Sequence, residues 1–238
     1  MPHKSMFTLS ARYYDYIYSF KDYRKEVEIL NSFINEYKRS DGKRLLDVAC
    51  GTGNHIEFLR SDFEVEGLDL KDEFLQIVRK KFPELRFHKG DMLTFDLRKR
   101  FDVIICLFSS IGYMTTIDAL NKAVANMARH LAEGGVLFVE PWIVPEEWRA
   151  NTVHMQTVDE PNLKIARMVT SLTDGRLALM DMHHLIGTTE KTEHFVERHE
   201  MLLARKEELM QASGSAGLET FWDDEGLTAR GLVIGIKV

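Results

Sequence analysis

Three carboxylates and two glycines carry the chemistry that is most directly readable in this chain. Asp47, Gly51 and Gly53 stand in Leu45-Leu46-Asp47-Val48-Ala49-Cys50-Gly51-Thr52-Gly53, where an apolar run gives way to a turn. Glycines at such a turn let the backbone approach a ligand with no Cβ in the way. A helix that follows presents free N–H groups. A two-glycine turn taken alone also serves simple tight packing. Asp69 comes 22 positions after Asp47, in Gly67-Leu68-Asp69-Leu70, and Asp91 stands in Gly90-Asp91-Met92. A carboxylate at the first of these positions can accept hydrogen bonds from both hydroxyls of a ribose. Asp91 can meet an adenine edge while Met92 packs on the ring. One such acid is ordinarily a solvated surface group. Three at successive strand ends, in register, point to a nucleoside-bearing ligand.

Charge separates the candidate ligands. A dinucleotide fingerprint would put Gly or Ala at position 56, where this chain has Ile56. It also normally lacks an acid four residues before its first glycine, where Asp47 stands. A cationic sulfonium with an α-amino group suits a carboxylate near the loop, and a pyrophosphate does not. The pattern favours S-adenosylmethionine (SAM) over NAD.

The elements that must position these residues follow from periodicity. A helical pattern with Val27, Leu30, Phe33 and Ile34 on one face runs over 25–37, and Asp41-Gly42 breaks it. Strand and helix then alternate. Strands are expected at 44–49, 64–69, 85–88, 101–108 and 136–140. Helices are expected through residue 59, over 71–81, and over 118–131 with Gly134-Gly135 as its terminator. The run FDVIICLF at 101–108 is nearly all apolar, as in a strand covered on both faces. Beyond Pro141 the pattern changes. Residues 164–174 and 176–186 alternate around Asp174-Gly175, a hairpin signal, and 194–203 can add a third antiparallel strand. A helix at 205–214 and strands at 218–222 and 231–237 close the chain. The expected fold is α/β, a doubly wound, mostly parallel, seven-stranded Rossmann-like sheet with an antiparallel β insertion after the fifth strand. Residues 1–142 and 200–238 form the cofactor-binding core, and 143–199 form the insertion on the acceptor side.

Composition narrows the function classes. The chain has 238 residues, a net charge of −6, and only short basic clusters such as Arg79-Lys80-Lys81 and Arg98-Lys99-Arg100, so no nucleic-acid partner is expected. No run approaches the ~18 apolar residues of a membrane span, and Met1-Pro2-His3-Lys4 shows no apolar signal-peptide region. Two cysteines, Cys50 and Cys106, read as free thiols in a reducing cytoplasm. His183, His184, His194 and His199 lack the spacing of a metal site, and neighbours on a strand point to opposite faces. No metal is expected. Cys50 has no histidine linked to it by a motif, so it does not read as a nucleophile. The acid-Pro-Pro-Tyr and Pro-Cys signatures of DNA methyltransferases are absent.

Taken together, the segments resemble the class I SAM-dependent methyltransferases, whose first motif reads acid-x-x-x-Gly-x-Gly. More narrowly, the chain is similar to the sugar N,N-dimethyltransferases of macrolide biosynthesis, which act on dTDP-linked amino sugars. The matching stretches are LLDVACGTGNH (45–55), GDM (90–92), FSSIGY (108–113), EPW (140–142), PEEW (145–148) and ARGLVIG (229–235), with Tyr14-Asp15 and Lys21-Asp22-Tyr23. The resemblance implies that Tyr14 and Tyr23 close over the methionine part of SAM. It implies that Tyr113 lies beside the acceptor amine, with Ser109 and Ser110 in the same pocket. Trp142 would contact the substrate, and Arg230 would hold a nucleotide pyrophosphate. With Asp47, Gly51, Gly53, Asp69 and Asp91, the residues Ala49, Leu70, Met92 and Leu107 complete the implied cofactor set. Two departures stand out: Ile143 and Val144 replace aromatic residues common in the family, and the acids Asp223-Asp224-Glu225 replace a glycine-rich stretch before Arg230. Carboxylates facing a pyrophosphate would repel it.

The reaction so implied is in-line transfer of the sulfonium methyl to a neutral amine of a small molecule, most simply an amino sugar, leaving S-adenosylhomocysteine (SAH). Tyr14 and Tyr113 are the expected catalytic residues. Competing readings are an O-methyltransferase, with His154 or His194 as its base, and a non-catalytic SAM-binding protein. The insertion also offers a surface for a homodimer.

Overall fold

Short apolar strands alternate with helices through the first half of the chain, as their periodicities require. The computed structural model describes residues 6–238, so the reading of Met1-Pro2-His3-Lys4 lies outside the described residues. In chain order come α1 (Tyr14–Ile17), α2 (Tyr23–Tyr37), β1 (Arg44–Val48), α3 (Ile56–Leu59), β2 (Glu64–Asp69), α4 (Asp72–Lys81), β3 (Arg86–Lys89), β4 (Phe101–Cys106), α5 (Ile117–Arg129) and β5 (Leu131–Val139). Four strands follow: β6 (Thr152–Glu160), β7 (Leu163–Asp174), β8 (Leu177–Thr188) and β9 (Thr192–Leu202). Then come α6 (Lys206–Ser215), β10 (Leu218–Asp223) and β11 (Leu232–Lys237).

The main sheet has the order β10-β11-β5-β4-β1-β2-β3. Strands β1 to β5 run parallel, and β11 enters antiparallel beside β5. Connections leave β1 toward β2 and β4 toward β5 on opposite sides. The strand order therefore reverses between β1 and β4, and such a sheet binds ligands outside the carboxyl ends there. Every residue of β4 is buried. Its Val103 and Ile105 pack with Leu30 and Ile34 of α2 and with Val78 of α4, while Ile104 and Cys106 face Leu120 and Met127 of α5 and Leu209 of α6. Burying each such side chain is worth about 1.5–3 kcal/mol. Asp22 caps α2, accepting a hydrogen bond from the Lys25 N–H at 3.0 Å.

Two expectations are corrected. Helix α5 ends at Arg129, and the Gly134-Gly135 pair sits inside β5 rather than ending the helix. The Gly134 carbonyl accepts hydrogen bonds from the N–H groups of Arg39 and Ser40, at 2.8 and 2.9 Å. A Cβ at Gly134 would lie 2.9 Å from the Ser40 nitrogen, so glycine is needed for this close approach. The second sheet, order β6-β7-β8-β9, has four strands and not three. Strand β6 is an edge strand, mostly exposed, with little apolar alternation to betray it. Among the described residues no helix is long and apolar enough to cross a membrane.

Candidate active site

The glycine loop is shaped from beneath and latched from the side. Leaving β1, Ala49, Gly51 and Gly53 all take positive φ, at 63°, 53° and 79°. A Cβ on Gly53 would lie 2.7 Å from Val78 Cγ2 and 2.9 Å from Phe82 Cε2, so this glycine presses the loop onto α4. A Cβ on Gly51 would meet nothing within 4 Å, so that position opens into free space. The Gly51 N–H donates to Asp69 Oδ2 at 2.9 Å, and the Lys71 N–H donates to Oδ1 at 2.8 Å. Asp69 thus ties the first strand–helix turn to the second. Burial pushes its pKa up, against the pull of those two N–H groups. Asp91 makes the matching turn at the third strand, accepting from the Leu93 N–H at 2.9 Å.

A cavity of about 920 Å³ opens above these strand ends. Of the expected cofactor residues, Tyr14, Ala49, Gly51, Asp69, Leu70, Asp91 and Met92 line it. All five expected acceptor residues line it too: Ser109, Ser110, Tyr113, Trp142 and Arg230. The structure does not bring Tyr23, Asp47, Gly53 or Leu107 to the cavity wall. Leu107 belongs to the core below it. The Tyr23 ring stands edge-on to His55, 5.0 Å between centroids. His55 in turn meets Glu26, which also pairs with Lys21 at 2.6 Å.

Asp47 is 4% exposed. Burial raises its pKa to about 7, with the charge of His55 opposing and that of Asp69 adding to the rise. The folded protein therefore holds this proton more tightly than the unfolded chain does. Stability from this residue is present below the ordinary carboxylate pKa and is lost as pH rises from about 4 to about 7. Asp47→Asn is expected to remove that loss. Thermal melts of the ligand-free protein should show the variant gaining on the parent by a few kcal/mol at most between pH 4 and 8. Parallel pH profiles for the two proteins would refute the assignment.

The acceptor side is built around a strained corner. Phe108 and Ser109 have φ of 49° and 62°, a conformation uncommon outside glycine. Glu140, 0% exposed, holds the corner: the Phe108 N–H donates to its Oε2 at 2.5 Å, and the Thr228 hydroxyl donates to its Oε1. The Ser109 hydroxyl donates to the Pro141 carbonyl at 2.8 Å and accepts from Arg230 at 2.9 Å. Ser109 therefore fixes the guanidinium, which also lies over the Trp142 ring, 5.3 Å from its centroid. The Trp142 Nε1 is buried with no hydrogen-bond partner among the described residues. The three acids before Arg230 do not line the cavity. Asp223 caps a turn, accepting from the Gly226 N–H at 2.6 Å, and Asp224 is held by Lys206 and Trp222. Glu225 is exposed.

Several wall residues escaped the sequence reading. The inner face of the second sheet brings Arg167, Met182 and His199 to the cavity. The Tyr113 hydroxyl and His199 Nδ1 are 2.8 Å apart. Glu197, 0% exposed, accepts hydrogen bonds from the Leu9 and Ser10 N–H groups and from the Ser10 hydroxyl. This pins the segment carrying Phe7, Tyr14 and Tyr18 over the cavity as its roof. Farther along, Asp15 receives hydrogen bonds from Thr52 at 2.5 Å and Asn54 at 3.0 Å, and pairs with Lys81. The even spacing of His184, Glu197 and His199 on strands β8 and β9 was the one available signal, because it puts all three on one face. His183 and His194 stack on the outer face, 5.6 Å apart, away from the site. Among the described residues no cluster of ligating side chains could hold a metal ion.

Residues 45–135 match a methyltransferase domain family. Over 218 residues, 91% of this chain and 92% of the relative, the chain is 34% identical to the dTDP-3-amino-3,4,6-trideoxy-alpha-D-glucopyranose N,N-dimethyltransferase of Streptomyces venezuelae. The chain belongs to the dTDP-aminosugar N,N-dimethyltransferase family. Solved structures agree. DesVI of Streptomyces venezuelae superposes with a TM-score of 0.89 at 32% identity, covering 99% of this chain and all of its own. SAM-bound CalS10, an amino pentose methyltransferase from Micromonospora echinaspora, superposes with a TM-score of 0.85 at 34% identity over the whole of both chains. This N,N-dimethyltransferase family member is a methyltransferase with the class I fold.

Proposed function

We propose that the chain uses SAM to methylate the amine of an amino sugar carried on dTDP, with 143–199 as the insertion that forms the acceptor side. The observation that carries this reading is one continuous cavity. Its floor holds a glycine bed and two strand-end carboxylates, and its far wall holds Tyr113, Trp142 and Arg230. The residues fit the cofactor: Gly51 faces open space, and Asp69 and Asp91 lie along the same wall. Asp69 and Asp91 would hold the adenosine, and Ala49, Gly51 and Leu70 would line its bed. Tyr14 would cover the methionine part.

When bound, SAM supplies an activated methyl, so that the amine lone pair forms the N–C bond as the C–S electron pair returns to sulfur. The protein's task is alignment. Burial raises the pKa of both Tyr14 and Tyr113 well above the ordinary value, so each is a neutral phenol able to orient an N–H but not a base. His154 lines the cavity from an exposed position on the edge strand β6, and His194 is outside it, so neither base expected for a hydroxyl acceptor stands buried beside the site. Both points support an amine. Arg230, locked by Ser109 and Trp142, presents a guanidinium suited to a diphosphate.

A radiolabelled-methyl assay over dTDP-aminosugars, simple amines and hydroxylated acceptors tests the reading, and methylation of hydroxyls alone would overturn it. The double variant Y14F/Y113F is expected to lower turnover about 10- to 30-fold, the worth of one or two hydrogen bonds. Affinity for SAH, read by calorimetry, should change little. Unchanged turnover would remove both tyrosines from catalysis.

The outer face of the second sheet exposes Val153, Met155, Met168 and Leu185. Apolar exposure of this kind supports pairing with a second copy. Light scattering at working concentration should give twice the chain mass, and V153E/M155E should halve it. Two buried free thiols, Cys50 and Cys106, support a cytoplasmic setting.

A further inference from the structure

A phenol beside an amine nucleophile can help or hinder, depending on where its single proton points. If the hydroxyl donates to the amine, the hydrogen bond occupies the lone pair that must attack. If the oxygen accepts an amine N–H, the lone pair is left free. Tyr113 therefore needs a second partner to take its proton.

Such a partner lies 2.8 Å away, at Nδ1 of His199. The ring is 2% exposed, and the edge of Phe7 closes against it at 4.8 Å between centroids. Among the described residues the Tyr113 hydroxyl has no other hydrogen-bond partner. Burial holds His199 far below its usual range, at about 4, so near neutrality the imidazole is uncharged and one ring nitrogen is bare. An imidazole nitrogen is a stronger acceptor than a phenol oxygen, and a phenol is the better donor of the two. The favoured arrangement is Tyr113 O–H donating to a bare Nδ1.

We infer that His199 is a positioning residue that draws the Tyr113 proton away from the cavity, so that the phenol oxygen presents only lone pairs to the acceptor amine. The inference rests on the amine reading above. Glu197 and His184 lie on the same face of the second sheet as His199, and Glu197 is committed to the roof segment. His199 is thus free to serve Tyr113.

Ring 15N shifts of His199, recorded on the full protein with SAH bound, decide where the proton sits. A bare, hydrogen-bonded Nδ1 with the proton on Nε2 is expected. A neutral ring protonated at Nδ1 would overturn the inference, and this measurement needs no acceptor. Kinetics supply the second arm. H199L should lower kcat about tenfold, about one hydrogen bond's worth, with KM and SAH affinity within about threefold. H199N, which keeps an acceptor near the Nδ1 position, should restore most of the loss. In the Y113F background H199L should change kcat by less than about twofold, because the two act as a unit. An equal loss in both backgrounds would mark His199 as merely structural and sink the inference. Absence of amine methylation by the parent enzyme would instead refute the proposed function, leaving the ring measurement to decide the proton.

Discussion

Asp69→Ala is expected to weaken SAH binding about 100-fold or more, read by titration calorimetry on the purified protein. The carboxylate has two tasks that alanine removes together. It latches the Gly51 and Lys71 N–H groups, and it lies on the wall where a ribose would sit. Each buried N–H left without a partner costs about 1–3 kcal/mol. The loop would relax to find water, and the bed would lose its shape before any ribose contact is counted. A loss of about 3 kcal/mol corresponds to roughly 100-fold in affinity. Asp69→Asn keeps one acceptor but turns an amide N–H₂ toward one of the two donors, so it should fall between. A loss below about threefold for the alanine variant would disprove the assignment of this wall to the nucleoside.

Glu140→Ala should be the most destabilising single change at the acceptor end, by about 3–5 kcal/mol in urea unfolding. Its side chain is wholly buried and satisfies the backbone of the left-handed corner at Phe108 and the hydroxyl of Thr228. Those two segments carry Ser109 and Arg230, which are also joined directly by the hydrogen bond from Arg230 to the Ser109 hydroxyl. Removing the carboxylate leaves a half-buried donor on each side and a void between them. KM for the acceptor should rise while SAH affinity stays within about threefold, since the cofactor bed has its own latch at Asp69. Glu140→Gln should recover part of the stability. A stability change below about 1 kcal/mol would show that the corner stands without it.

The contrast between Asp69 and Glu140 shows what was legible in the sequence. Asp69, Asp91 and Gly51 announce themselves by local rules: an apolar strand, then a turn, then an acid or glycine at the strand's end. The continuous apolar run at Phe101–Cys106 announces the central strand in the same way. Glu140 also ends a strand, but its partners lie 32 and 88 residues away. Glu197 acts on residues 187 and 188 positions distant. No local pattern encodes such pairs. Strand β6 was hidden for a different reason, being an exposed edge whose neighbours ask little of its side chains. Asp47, Gly53, Tyr23 and Leu107 lie in or beside the motifs that mark the site, yet they support its wall from behind rather than form it.

Besides its contacts through Arg12, Ile17 and Tyr18, the roof segment is fastened at Ser10 and at Asp15 by links that differ in kind. At Ser10 the fastening is the wholly buried Glu197, where exposing a donor to no partner costs several times thermal energy. At Asp15 it is a side chain 43% exposed, facing a Lys81 that is 29% exposed, a pair of the kind worth about 0–1 kcal/mol. The segment thus spans the cavity from the second sheet, at Glu197, to the glycine loop, where Thr52 and Asn54 also donate to Asp15. Salt screens an exposed pair such as Asp15 with Lys81 far more than it touches the buried contact of Ser10 with Glu197, so added salt is expected to weaken the first of these before the second.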